Sequence, residues 1–409
     1  MVSLSEPGSR SAVHGVSKAA LDALIATHGE GAIPAQMRYD ALARFEELPV
    51  RQVIRGGRTW RQDLSKLDLS EIDVLDTLYA DAVSGGLTAR GVIVTDFDTA
   101  KAQFPEEFAR AFGAAVDTRD DKFASLALAF QHGGTFVWIP DGVQAEEPIE
   151  ICYEPSGAAF PYTLVAVGSG ASATILERIT SDERASFLCG IGEIVLGEHA
   201  SLRYTIDQSA GPASRAILTR RAALGKDATL TLALAELGGE HVVERIRVVQ
   251  REHGGNVEIT AFFFANGDQH VDLETEVVHA AGATRSGTLV RSAGTGRGQG
   301  RYLGNIKILK AAHGADATLR DDALLLSQEA HVDSIPALEI AANDVKAYHG
   351  ATVGAISEDE IFYAQTRGLS RPDAERMIAL GFFEPAIARF PGEALRERLR
   401  AALVAKLDL

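Results

Sequence analysis

Eleven histidines and two cysteines, Cys152 and Cys189, are the soft and borderline metal ligands of this 409-residue chain. Imidazole suits borderline metals such as iron, and histidine replaces cysteine at some iron–sulfur sites. His241, His253, His270, His279, His313, His331 and His349 all fall in the β-rich half of the sequence. None has the tight spacing of a dedicated site: HxH, CxxC and HExxH are absent, so most of these histidines are expected in turns or on the surface. Two thiols cannot hold a four-cysteine cluster within one chain, and they form no disulfide framework, which fits a reducing compartment. His349 differs in context. It sits in a bend rich in glycine and alanine, KAYHGATVGA, close to Asp344 and Lys346. On the residues alone it reads as a structural histidine tying down the end of a fold, or as a metal ligand.

Other chemistry is weakly signalled. The run AGTGRGQG (293–300) lacks the G-K-[ST] ending of a phosphate loop and leads into strand-like RYLGNIKIL, so it reads as a flexible corner. Glu236, Glu240, Glu244, Glu252 and Glu258 could supply a carboxylate pair in a groove, as in polysaccharide-active β-helix enzymes. With 56 acids available, near pairs arise by chance, and an aromatic content of 7% offers few sugar platforms. No GxSxG nucleophile motif is present, and neither cysteine has a histidine beside it in sequence.

The elements that must position these residues fall into three stretches: 1–90 helical, 91–350 β-rich and 351–409 helical. In the first, Ser17 precedes an apolar series at Leu21, Leu24 and Ile25, Tyr39 to Leu48 repeats that spacing, and Asp73 to Val83 reads as a further helix before Gly85 and Gly86. GVIVTDF is strand-like, Phe104–Phe112 and 121–130 read as helices, and TFVWIPDGV opens the long β region. There G-x-x-A-[ST]-apolar recurs at Gly168–Ala173, Gly197–Leu202, Gly225–Leu230 and Gly314–Leu319, with looser copies near Asn256 and at Ala283–Thr284. The fourth positions, 171, 200, 228, about 256, 283 and 317, step by about 28 residues except for a longer last step. Each copy is a tight turn followed by alternating residues such as SLRYTIDQ, a unit that buries its apolar face only by stacking. A β-solenoid is the economical fold, with an antiparallel sandwich of evenly spaced hairpins as the other. After Gly354 a capping box, Ser357 with Glu360, starts a helix, and Leu395, Leu399, Ala402, Leu403 and Leu407 mark one face of the last.

A formal charge of −16 disfavours a nucleic-acid surface, and no apolar run is long enough to span a membrane. MVSLSEPGSRSAV has no basic start or apolar core, so export is not expected and a cytoplasmic location is.

Residues 335–368, IPALEIAANDVKAYHGATVGAISEDEIFYAQTRG, closely resemble the C-terminal signature of the SufB/SufD family of iron–sulfur cluster assembly proteins. WRQDL (60–64), DKFASLALAFQHGGTFVWIPDGV (121–143) and GEIVLGEHASLRYTIDQ (192–208) resemble three further elements of that family. Chain length and a short N-terminal region resemble the SufD side. The resemblance implies a right-handed parallel β-helix flanked by N- and C-terminal helical regions, and a scaffold role with no reaction and no resident cofactor of its own. It also implies pairing with a SufB-like protein, with nascent cluster or iron at the interface beside His349. Docking of a SufC-like ABC-type ATPase on the C-terminal helices follows from the same resemblance. One departure is clear: where the family commonly reads VKCSHGATVG, this chain has Ala347 in place of the cysteine. A homodimeric scaffold variant without its own metal site, pairing through a free β edge, is therefore a second reading, and a β-helix lyase or hydrolase a third.

Overall fold

The computed structural model describes residues 15–50, 52–55, 58–61, 68–70, 72–74, 78–83 and 86–407. The N-terminal leader reading and the side chain of Trp60 lie outside what it describes.

The repeat forms a two-sided parallel β-solenoid. Each turn of about 28 residues contributes one strand to a nine-stranded sheet and one to a ten-stranded sheet. In the first, Ser172 pairs with Ser201, then Thr229, Asn256, Arg285, Asp316 and Lys346. Period-two alternation sends Leu202, Tyr204 and Ile206 inward to a core shared with Leu218, Leu224 and Val248 of the other sheet. The corners explain the motif. Its third residue is left-handed, as at Gly170, His199 and Asp227 (φ 66°, 56° and 53°). Its glycine lies against the preceding turn, where a Cβ on Gly197 would meet the backbone nitrogen of Ser169 at 2.8 Å.

This register corrects the last two repeats: Ala283 (φ 54°) is the left-handed residue, so Thr284 takes the fourth position. Gly314 (φ 71°) is itself the left-handed residue, so Ala315, not Ala317, matches Ala171 and Ala200. The AGTGRGQG run is a corner, with Gly296 left-handed between strands Arg285–Gly294 and Gln299–Ile308.

Helices α1 (Lys18–His28), α2 (Ala35–Glu47), α3 (Phe97–Gln103), α4 (Pro105–Ala111) and α5 (Lys122–Ala129) belong to the N-terminal part. Ser17 caps α1 as expected, and Asp121 caps α5. Helix α5 packs Phe123, Leu126 and Phe130 on the outer face of the ten-stranded sheet, among Cys189, Ile217 and Val243. Asp121 also meets Arg245 and Arg221 of that sheet at 3.1 and 3.0 Å. The helix expected over Asp73–Val83 is not formed. Leu78–Val83 is a strand, antiparallel to Ile149–Pro155, and Ile93–Asp96 is likewise antiparallel to Gly134–Ile139. Gln52–Arg55 and Arg58–Arg61 make a hairpin. In so short a run the apolar spacing does not separate helix from strand, and the sheet edge of the first turn decides it.

Helices α6 (Glu358–Thr366), α7 (Arg371–Ile387) and α8 (Glu393–Leu407) close the chain. Ser357 accepts from the Glu360 backbone, as the capping box requires. Phe383 and Phe390 of this segment pack tilted and edge-on against Phe262 on the nine-stranded sheet's outer face. No helix among the described residues is long and apolar enough to cross a membrane.

Candidate functional site

Lys346–Ala355 is the last strand of the nine-stranded sheet, and His331–Ile340 the last of the ten-stranded sheet. Each pairs on one side only among the described residues, so the solenoid ends here in two free backbone edges. Ala347 lies over Ala317 and His349 over Leu319. Ala317 and Leu319 are core residues, so the alternation carries Ala347 and His349 to the inner side of the last turn. His349 is half-buried, and its Nδ1 is buried without a hydrogen-bond partner. An imidazole nitrogen left unsatisfied at an open rim is chemically suited to a metal or a donor brought from outside. Tyr348, on the opposite side of the strand, is 64% exposed, and Ile340 and Val353 are also exposed.

Polar groups lie under this rim. Asp321 is fully buried and accepts from the Ser334 hydroxyl of the facing sheet. Burial raises its carboxyl to about 7. Tyr302 shares a 2.7 Å hydrogen bond with Thr275 in the core.

Neither cysteine is near His349. Cys152 is on Ile149–Pro155, at the other end of the nine-stranded sheet, and Cys189 is buried under α5, donating to the Phe123 carbonyl at 3.4 Å. Burial pushes both thiols above their ordinary value.

Glu236 and Glu244 do not form a groove. Both are buried inside the solenoid, where no polysaccharide reaches them. Arg220 donates to Glu244 and Glu177 at 2.9 and 2.8 Å, while Glu236, with no hydrogen bond to its carboxylate, is held far above the carboxylate range by burial. Glu240 lies outside, 2.9 Å from Arg215.

The histidine expectation needs correction too. His253 and His313 are exposed corner residues and His331 is exposed on a strand, as expected. His279 is fully buried, bonded to Thr284 and Ser286. His241 and His270 start neighbouring strands and stand beside Asp272, with ligand atoms of all three within 4.8 Å of one another. The available signal was an H-x-D tripeptide, His270-Val271-Asp272, one solenoid turn after His241. A search for ligands close in sequence does not register it.

Comparison with known proteins agrees with this architecture. Residues 151–382 match the family described as SUF system FeS cluster assembly, SufBD core domain. Residues 37–151 match the SufBD protein N-terminal region. The chain belongs to the SufBD family. Among curated SufBD proteins, the iron–sulfur cluster assembly SufBD family protein of Staphylococcus epidermidis is 28% identical over 312 residues, covering 75% of this chain and 67% of the relative. Similar proteins of Staphylococcus haemolyticus and Staphylococcus aureus are 28% and 27% identical over the same length. SufBD membership ties the chain to the SUF system of iron–sulfur cluster assembly, and its proteins are assembly components.

Proposed function

We propose that this chain is the SufD-type, non-catalytic subunit of a cytoplasmic iron–sulfur assembly complex, pairing with a SufB-like protein and a SufC-like ATPase. The observation that carries the reading is His349, with its unsatisfied Nδ1, at a solenoid end whose two strand edges are free among the described residues. Such edges pair readily with a partner's strands. Pairing through roughly residues 300–350 and the last strand would cover Ile340, Tyr348 and Val353, and bring a partner's ligand to His349. Because Ala347 has no ligand atom, a second donor to the nascent cluster or iron comes from the partner.

The ATPase would dock on the C-terminal helices, where Phe362, Tyr363 and Met377 are 68%, 61% and 52% exposed. Helix α7 is anchored on the solenoid through Phe383, so a pull on these helices strains the subunit interface. Opening that interface requires the ATPase to bind the open state better than the closed one. A second reading is favoured by Ala347 itself: a homodimeric scaffold, edge to edge, without its own metal site.

The test is anaerobic coexpression with SufB-like and SufC-like partners, measuring iron and sulfide in complexes of wild type and His349→Ala. Cluster lost only in the variant is the expected result. Equal cluster in both rejects the role of His349 and leaves a scaffold, and absence of any complex rejects the subunit reading. A purified chain that dimerises and takes up no iron, with or without partners, supports the homodimer.

A further inference from the structure

We propose that His241, His270 and Asp272 form a binding site for a divalent transition-metal ion that joins two consecutive turns of the solenoid, on the ten-stranded sheet rather than the nine-stranded one that carries His349. His241 and His270 are direct register partners in the ten-stranded sheet. Parallel strands lie about 4.8 Å apart, so equal positions stack at that distance. Here the ring centroids are 4.7 Å apart but the planes are tilted by 37°. Asp272 is two residues beyond His270, on the same outer side of the strand, because the intervening Val271 belongs to the core.

Burial and hydrogen bonding point to a ligand. Asp272 is only 4% exposed and His241 9%. Nε2 of His270 and both carboxylate oxygens of Asp272 are buried and make no hydrogen bond. Nε2 of His270 nonetheless lies 3.1 Å from Oδ1 of Asp272. A short approach without hydrogen-bond alignment is the geometry of two ligand atoms facing a common point. Bonds of about 2.0–2.2 Å to nitrogen and oxygen let two ligand atoms lie at most about 4.4 Å apart across an ion. All three atoms lie within 4.8 Å of one another, so side-chain rotation can bring them to one ion.

Two imidazoles and one carboxylate suit Zn²⁺ or Fe²⁺ and leave a coordination position open. Arg301, Asp272's register partner in the next turn, has Nη1 3.8 Å from Asp272 Oδ2 and Nε 3.8 Å from Asp333. At that range it offsets the charge of both carboxylates. The same tripeptide recurs as His331-Val332-Asp333, with Gln299 as the register partner of both His270 and His331. There His331 is exposed and makes an ordinary 2.9 Å hydrogen bond to Asp333. The stacked second histidine and the burial set the first copy apart.

The full-length chain, stripped with chelator, is titrated with Zn²⁺ by calorimetry and with Co²⁺ by its visible absorption. Wild type, His349→Ala and His331→Gln are expected to take up one ion at this site, with a rise in melting temperature because the ion links two turns. Asp272→Asn and His270→Gln are expected to bind more than about 100-fold more weakly, beyond the 10–100-fold effect of outer-shell partners. Should either variant misfold by circular dichroism, His241→Gln carries the same expectation. The proposal is overturned if wild type takes up no ion, if uptake disappears in His349→Ala alone, or if the ligand variants bind as wild type does.

Discussion

The two ends of the solenoid are built by opposite rules. At the first turn, the antiparallel strands Leu78–Val83 and Ile93–Asp96 occupy the outermost positions of both sheets. Phe136 there is fully buried, edge-on to Phe108 of α4. At the last turn His331–Ile340 and Lys346–Ala355 each pair on one side only among the described residues, and Ile340, Tyr348 and Val353 are exposed. A stack of identical units presents a sticky edge at each end. This chain ends one in short antiparallel strands and the other in ten-residue parallel strands that carry a half-buried histidine. The difference teaches that stability is concentrated away from the end proposed to do the work.

The widest gap should appear in packing. Phe136→Ala is expected to destabilise the isolated chain by about 3–5 kcal/mol, whereas Ile340→Ala should stay within about 0.5 kcal/mol, both read by denaturant unfolding. Equal losses would mean that the last turn is as tightly held as the first. Glycines give a smaller contrast. Gly197→Ala forces a methyl against the previous corner and is expected to cost about 1–3 kcal/mol. Gly354→Ala, with nothing within 4 Å of the added carbon, should be close to neutral.

Asp321 sharpens the comparison through pH. Its carboxyl is raised from 3.8 to about 7 in the folded chain, so between those values the folded state keeps a proton that the unfolded state has released. Stability from this group is therefore full below about pH 4 and falls as pH rises towards 7. Asp321→Asn should remove that slope from melting curves taken across the window; an unchanged slope would assign it to other groups. Lys406, donating to the Leu237 carbonyl and lowered to about 7 by burial, has the opposite sign: its contribution grows as pH rises from about 7 to 10.5. The smallest stability effect is expected from Val353→Lys, an added charge on the free edge, which should leave the melting temperature unchanged while weakening capture of the SufB-like partner. Undiminished capture would move the interface away from that edge.

Much of this was legible in the chain. The spacing of G-x-x-A-[ST], with alternating residues after each copy, favoured a stacked β-solenoid over a sandwich of hairpins, because a corner that brings backbone against backbone needs glycine and period two sorts the faces. Ser17, Ser357 and Glu360 marked helix starts for equally local reasons. The motif around His349 located the candidate site, but that His349 and Ala347 face inward followed only from their pairing with Leu319 and Ala317. The strand Leu78–Val83 was decided by the sheet edge it meets rather than by its own spacing. Glu236 and Glu244, eight residues apart in sequence, became a buried pair only when both sheets turned them into one core. His241 and His270 became neighbours only through register, since a turn of about 28 residues separates them along the chain while one strand spacing separates them in space. Local rules act over a few residues and are written in the sequence; contacts between turns depend on the exact length of every corner, and only the folded stack sets those.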